Sequence, residues 1–164
     1  MSDLSQFLQL FTPRPGNHYL QVTTSVDETT KALDDMMKSV DGELHLAIYN
    51  EEKLVLSDLY PDAKIQQTSN LKHPFRALPR NSDIVVLKDI LDIHENPKLL
   101  LKTTYTTLAN AAYVIVMQKK GTMDIWAMKE LLEEHEFRSP NEIDVLPEYD
   151  LIMAKKMHMW GNGL

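Results

Sequence analysis

The side chains of this 164-residue chain with the means for chemistry are carboxylates, histidines and lysines, because it holds no cysteine. That composition removes disulfides, thiolate nucleophiles and Cys-based zinc or iron–sulfur sites together. The six histidines stand at 18, 45, 73, 94, 135 and 158, and none forms a local metal pair. His94-Glu95 is half of a metalloprotease helix motif, but no histidine follows at the required spacing, and Pro97 interrupts the helix that would present both ligands. A loop or cap role follows. Glu133, Glu134, His135 and Glu136 are consecutive, and consecutive residues on a helix point in different directions, so they read as a solvated helix end. His135 is in phase with Leu131 and Leu132. Neither a G-x-S-x-G nucleophile turn nor a phosphate-cradling P-loop occurs, and Lys119-Lys120-Gly121 reads as an ordinary turn after a strand.

Charge narrows the partners. The formal net charge of −7 argues against an extended phosphate-binding surface, which depends on clustered Lys and Arg, so no nucleic acid is expected. The longest strongly apolar stretch, Ala111 to Met117, is too short to cross a bilayer, and the opening MSDLSQFLQLF lacks the basic start of a signal peptide. No membrane association and a cytoplasmic location are the expectations. The length and the 43% hydrophobic content suit one core, hence a single domain over 1–164.

Any site must be positioned by elements that the pattern predicts. Leu4, Phe7, Leu8, Leu10 and Phe11 are spaced like a short amphipathic helix, stopped by Pro13, Pro15 and Gly16, so 1–24 reads as a docking segment. Ser25 with Glu28 suggests a capping box, and Val26, Leu33, Met36, Met37 and Val40 continue a helix that Gly42 ends. Leu44 to Tyr49 is the candidate first strand. Glu51 to Tyr60 fits either a short helix or a strand, and Ala63 to Gln67 fits a further strand. Strands at Ile84–Leu87 and Tyr113–Gln118 alternate with helices opened by Asn96-Pro97 and following Gly121. Such alternation implies a mainly parallel sheet with right-handed crossovers, and Glu142–Leu146 with Leu151–Met157 closes it as an antiparallel hairpin.

The words of this half carry a resemblance. FRALPRNSDIVVLKDIL (75–91), DIHENPKLLLKTTYTTL (92–108), AAYVIVMQ (111–118), LLEEHEFRSPNEIDV (131–145) and YDLIMAKK (149–156) resemble the latter half of class I S-adenosylmethionine-dependent methyltransferases. The resemblance implies an α/β, three-layer Rossmann-like sheet, mostly parallel, with a C-terminal antiparallel hairpin and a reduced N-terminal part. Two glycines of the family pattern are replaced: Asn110-Ala111-Ala112 stands at a Gly-Gly turn, and Glu136 stands before Phe137.

The larger departure lies upstream. The family's first strand leads into a G-x-G-x-G loop, because glycines let the backbone approach the cofactor. Here Leu44–Tyr49 leads into Asn50-Glu51-Glu52-Lys53, and no glycine occurs between Gly42 and Gly121. The leading expectation is therefore a degenerate methyltransferase-like protein, a non-catalytic binding or structural subunit with no cofactor. The alternative is an active S-adenosylmethionine-dependent enzyme with an atypical loop, its cofactor near Asn50, Asp58, Leu78 and Lys88, beyond the carboxyl ends of parallel strands. Asp58 suits the ribose-binding position only if Leu54–Leu59 is a strand. A third reading is an unrelated α/β ligand-binding domain, favoured if the Asp83 and Tyr113 strands are not adjacent and parallel. Phe7 and Phe11, with Met159 and Trp160 in the 157–164 tail, are interface candidates for a protein partner or a homodimer.

Overall fold

A computed structural model describes residues 4–49, 53–68 and 70–157. In chain order its elements are α1 (Ser5–Leu8), β1 (His18–Thr23), α2 (Glu28–Ser39), β2 (Glu43–Ile48), α3 (Lys53–Leu59), β3 (Lys64–Gln67), β4 (Ser82–Lys88), α4 (Pro97–Thr107), β5 (Leu108–Lys119), α5 (Ile125–Glu134), β6 (Phe137–Ile143) and β7 (Tyr149–Lys156). The seven strands form one sheet in the order β3-β2-β1-β4-β5-β7-β6. All neighbours are parallel except β5–β7 and β6–β7. Ile84 pairs with Tyr113 in parallel, so the adjacency on which the third reading depended goes the other way.

The expected docking segment 1–24 is corrected in its second half, which holds β1, third in the sheet order, while its first helix docks on the chain's own core. β1, HYLQVT, escapes a hydropathy reading since Gln21 and Thr23 are polar yet fully buried. Gln21 is satisfied from α2: its Nε2 donates to Thr29 Oγ1 at 3.1 Å, and Thr30 Oγ1 donates to its Oε1 at 2.6 Å. A buried amide with such partners carries little penalty. Leu44–Tyr49 is thus the second strand in chain order, and Glu51–Tyr60 resolves as a helix.

Two apolar layers flank the sheet. Leu33 and Met37 of α2 pack with Phe7, Phe11, Tyr19, Leu46 and Leu56 on one face, while Leu100, Leu101 and Leu132 from α4 and α5 pack with Val22, Val85 and Val114 on the other. Phe7 and Phe11 meet edge to face at 5.2 Å, and Phe11 lies 5.6 Å from Tyr19. As interface candidates they are therefore corrected: both are buried in the chain's own core. Reduction of the N-terminal half takes the form of thin helical cover, since the chain runs from β3 to β4 without a helix and only Leu71, Phe75 and Ala77 reach the core from that connection.

Local signals shift by a few residues. Asp27 rather than Ser25 caps α2, accepting Thr29 N–H at 3.0 Å while Thr30 Oγ1 accepts the Asp27 N–H at 3.2 Å. Asp41, not Gly42, takes the left-handed turn; Gly42 is needed because a Cβ there would lie 2.5 Å from the Asn17 carbonyl oxygen and 2.8 Å from Met37 Sδ. β6 begins at Phe137, ahead of the predicted Glu142, and β5 extends back to Leu108. Ala111 and Glu136, the residues replacing the family's glycines, have φ of 69° and 71°. The glycine conformation has been kept without the glycine, a strain of about 1 kcal/mol for an L-residue.

Two outcomes follow in urea denaturation. Phe7→Ala is expected to cost about 3–5 kcal/mol, the range for an aromatic core truncation, without changing the oligomeric state. Ala111→Gly is expected to raise stability by about 0.5 kcal/mol, the relieved strain less the entropy that glycine adds to the unfolded chain.

Candidate functional site

In an open α/β sheet, ligands bind outside the carboxyl ends of the strands where the strand order reverses. Here that point lies between β1 and β4, whose pairing runs from Tyr19–Ile84 to Val22–Leu87. Next along each strand come Thr23, leading through Thr24-Ser25-Val26 to Asp27 at the start of α2, and Lys88, followed by Asp89.

Side chains of this chain fill the position. The Lys88 ammonium lies 2.9 Å from Asp27 Oδ2 and 3.1 Å from Asp89 Oδ2, and 5.2 Å from the ring centroid of Tyr149 at the start of β7. The Tyr149 hydroxyl donates to Asp89 Oδ2 at 3.2 Å, and the Lys119 N–H to Asp89 Oδ1 at 3.1 Å. Asp27 Oδ1 accepts from the Thr29 N–H and, at 2.6 Å, from the Thr29 hydroxyl. One ammonium, 4% exposed as a residue, thus ties the start of α2 to β4 and, through Asp89, to β5 and β7.

The electrostatics follow from that enclosure. Burial disfavours the charge on Lys88, yet its bonds to Asp27, Tyr149 and Asp89 outweigh burial and raise its pKa. Burial likewise pushes the Asp27 carboxyl up, but Thr29 and Lys88 together hold it below the ordinary range. Burial raises the Tyr149 hydroxyl, keeping it a donor. A helix N-terminus offers free N–H groups to an anion. In α2 the chain's own Asp27 takes up the Thr29 N–H.

The sequence candidates separate in space. Lys88 belongs to this cluster, and Asn50 lies outside the described residues. Asp58 sits exposed on α3, so the strand on which its ribose role depended does not form. Leu78 is 67% exposed and lines, with Leu20, His45 and Arg76, a cavity of about 280 Å³ that also touches Ser82 at the amino end of β4. Met159 and Trp160 lie outside the described residues. His94 serves a loop, its Nε2–H donating to the His73 carbonyl at 2.9 Å while Nδ1 accepts the Asn96 N–H. Asp27, Asp89 and Tyr149 were missed. The signal for Asp27 was its place three residues before Thr30, a capping spacing that Ser25 and Glu28 obscured.

No family model and no curated protein matches the sequence. Solved structures do match. A SAM-dependent methyltransferase from Aquifex aeolicus superposes with a TM-score of 0.76 at 17% identity, covering 95% of this chain and 90% of that one. A TehB-like SAM-dependent methyltransferase from Corynebacterium glutamicum gives 0.70 at 12%, covering 92% and 85%. Phosphoethanolamine N-methyltransferase 2 of Haemonchus contortus, solved with S-adenosylhomocysteine, gives 0.73 at 9%, and this chain covers 52% of its length. The fold is class I methyltransferase-like.

Within that methyltransferase-like fold the cofactor can be tested against the residues present. The loop after β1 is Thr24-Ser25-Val26-Asp27, without glycine, and β2 ends in Ile48-Tyr49 rather than an acidic residue. Beyond Tyr49, Asn50-Glu51-Glu52 lie outside the described residues.

Lys88→Met leaves the two carboxylates without their shared counter-charge, and about 3 kcal/mol of stability should be lost, the low end for breaking a buried pair because Asp27 and Asp89 are partly exposed. Urea denaturation measures it. Because the folded Asp27 pKa is lowered, its contribution is whole above the unfolded value of about 4 and disappears as pH falls through the folded value. Asp27→Asn should flatten that acid limb of stability against pH.

Proposed function

We propose that this chain is a methyltransferase-like protein that no longer binds the cofactor and acts as a non-catalytic binding or structural subunit, with a protein partner or a second copy of itself. The observation that carries this reading is Lys88, held 2.9 Å from Asp27 across the β1/β4 reversal point, where a cofactor-binding member of the fold would keep its crevice open. Three features support it. The β1 loop lacks the glycines that permit close backbone approach. Asp27 already caps α2 with the charge that a ligand carboxylate would bring. The ends of β1, β4, β5 and β7 are joined by one bonded cluster, beside a cavity of about 200 Å³ lined by Leu91, Asp92 and Gln118.

The test is calorimetry and thermal unfolding with S-adenosylmethionine and S-adenosylhomocysteine. A cofactor held at 100 times its Kd would stabilise the fold by about 2.7 kcal/mol. No saturable heat and no such stabilisation is the expected result. One-site binding with a micromolar Kd would overturn the proposal in favour of an active enzyme with an atypical loop.

A further inference from the structure

The opposite end of the same strands holds a second cluster, far from any local sequence motif. Parallel pairing sets His18 of β1 directly beside Glu43 of β2, and Leu20 beside His45. Alternate residues of a strand share a face, so Glu43 and His45 stand together there with His18 next to them. Gly42 helps to fix this register: the Glu43 N–H donates to the Asn17 carbonyl at 2.8 Å, next to the contact that excludes a Cβ at Gly42. The helix-free β3-to-β4 connection leaves the three side chains partly exposed.

Their geometry is that of ligands around an ion. His18 Nε2 is 3.2 Å from Glu43 Oε2, His45 Nε2 is 3.4 Å from Glu43 Oε1, and one ligand atom from each residue lies within 4.8 Å of the others. A tetrahedral zinc with ligands at about 2.0–2.1 Å has ligand–ligand edges of about 3.3 Å.

The hydrogen bonds point the same way. His18 Nδ1 is 3.1 Å from the Asn81 carbonyl, which only accepts, so Nδ1 carries a proton and Nε2 is the atom turned toward the carboxylate. A backbone carbonyl on the far nitrogen is the usual orienting partner of a metal-bound histidine. His45 Nε2 is buried and makes no hydrogen bond, its approach to Glu43 lacking the alignment for one. Two imidazole nitrogens facing one carboxylate form a donor set that suits a shared cation. The ammonium of Lys64, 3.6 Å from Glu43 Oε1, is 68% exposed and touches only one edge.

We propose that His18, Glu43 and His45 bind a divalent transition-metal ion, zinc being the reference case, with a fourth position open to water. An approach path exists, since His45 also lines the cavity of about 280 Å³ beside Gln66 and Arg76. The site is independent of the crevice at the carboxyl ends, so it stands whether or not a cofactor binds there. An ion at this place would join β1 to β2 where the helical cover is thin.

The experiment titrates zinc into the metal-free full-length chain by calorimetry and follows the imidazole nitrogens of all histidines by NMR. One-site binding is expected, with the His18 and His45 signals shifting together, and with His45→Gln weakening affinity at least about tenfold, since even an outer-shell change can cost that much. His135→Gln should leave the affinity unchanged. Absence of saturable binding, unaltered affinity in His45→Gln, or shifts confined to other histidines would each overturn the proposal. If His45→Gln does not fold, the wild-type imidazole shifts decide alone.

Discussion

A lysine ammonium taken out of water at the centre of a sheet needs counter-charge close by, and the satisfaction of Lys88 organises one end of this molecule. Its partners come from separate parts of the chain: Asp27 from the start of α2, and Asp89, itself held by Tyr149 of β7 and the backbone of Lys119. The strands converging there are the ones whose carboxyl ends form a ligand crevice in open α/β sheets. Asp27 has a double task, since the same carboxylate caps α2. A ligand entering would have to displace both a capping bond and a buried ion pair, and a charge left unpaired there is expensive.

The two ends of the sheet are consequently unlike. At the carboxyl end the charged groups Lys88, Asp27 and Asp89 satisfy one another, although Gln118 Oε1 near the end of β5 is buried without a hydrogen bond. At the amino end of β1 and β2, His45 Nε2 lacks a hydrogen bond and His18 Nε2 faces the Glu43 carboxylate. Buried polar atoms without partners are rare in stable proteins. The set at the amino end is two imidazoles around one carboxylate. The thin cover over β1 and β2 leaves that set accessible.

Much of the second half was legible because its strands are buried on both faces and read as apolar runs: Ile84–Leu87 and Tyr113–Gln118 both lie within β4 and β5. The first strand, β1, was not legible. Gln21 and Thr23 are buried by virtue of hydrogen bonds and neighbours contributed by other elements, which hydropathy does not register. Missing β1 also displaced the search for the cofactor loop, from Thr24–Val26 to the residues after Tyr49, although both loops lack glycine. Lys88 was placed correctly from strand polarity alone, whereas its partners required tertiary contacts spanning much of the chain. The histidine cluster was invisible for a related reason: residues 18 and 45 meet through the register of two strands joined by a helix, not through local spacing. Ala111 and Glu136 show the reverse case, where missing glycines suggested divergence but the backbone kept the left-handed turns.

The link across the β1/β4 reversal point rests on the coupling between Asp27 and Lys88, which a double-mutant cycle measures directly. Asparagine at 27 keeps the helix cap and removes only the charge, so Asp27→Asn, Lys88→Met and the double variant form a clean cycle in urea denaturation. A favourable coupling of about 1–3 kcal/mol is expected, with the double variant more stable than the sum of the single losses would allow. Strict additivity of the two substitutions would contradict it.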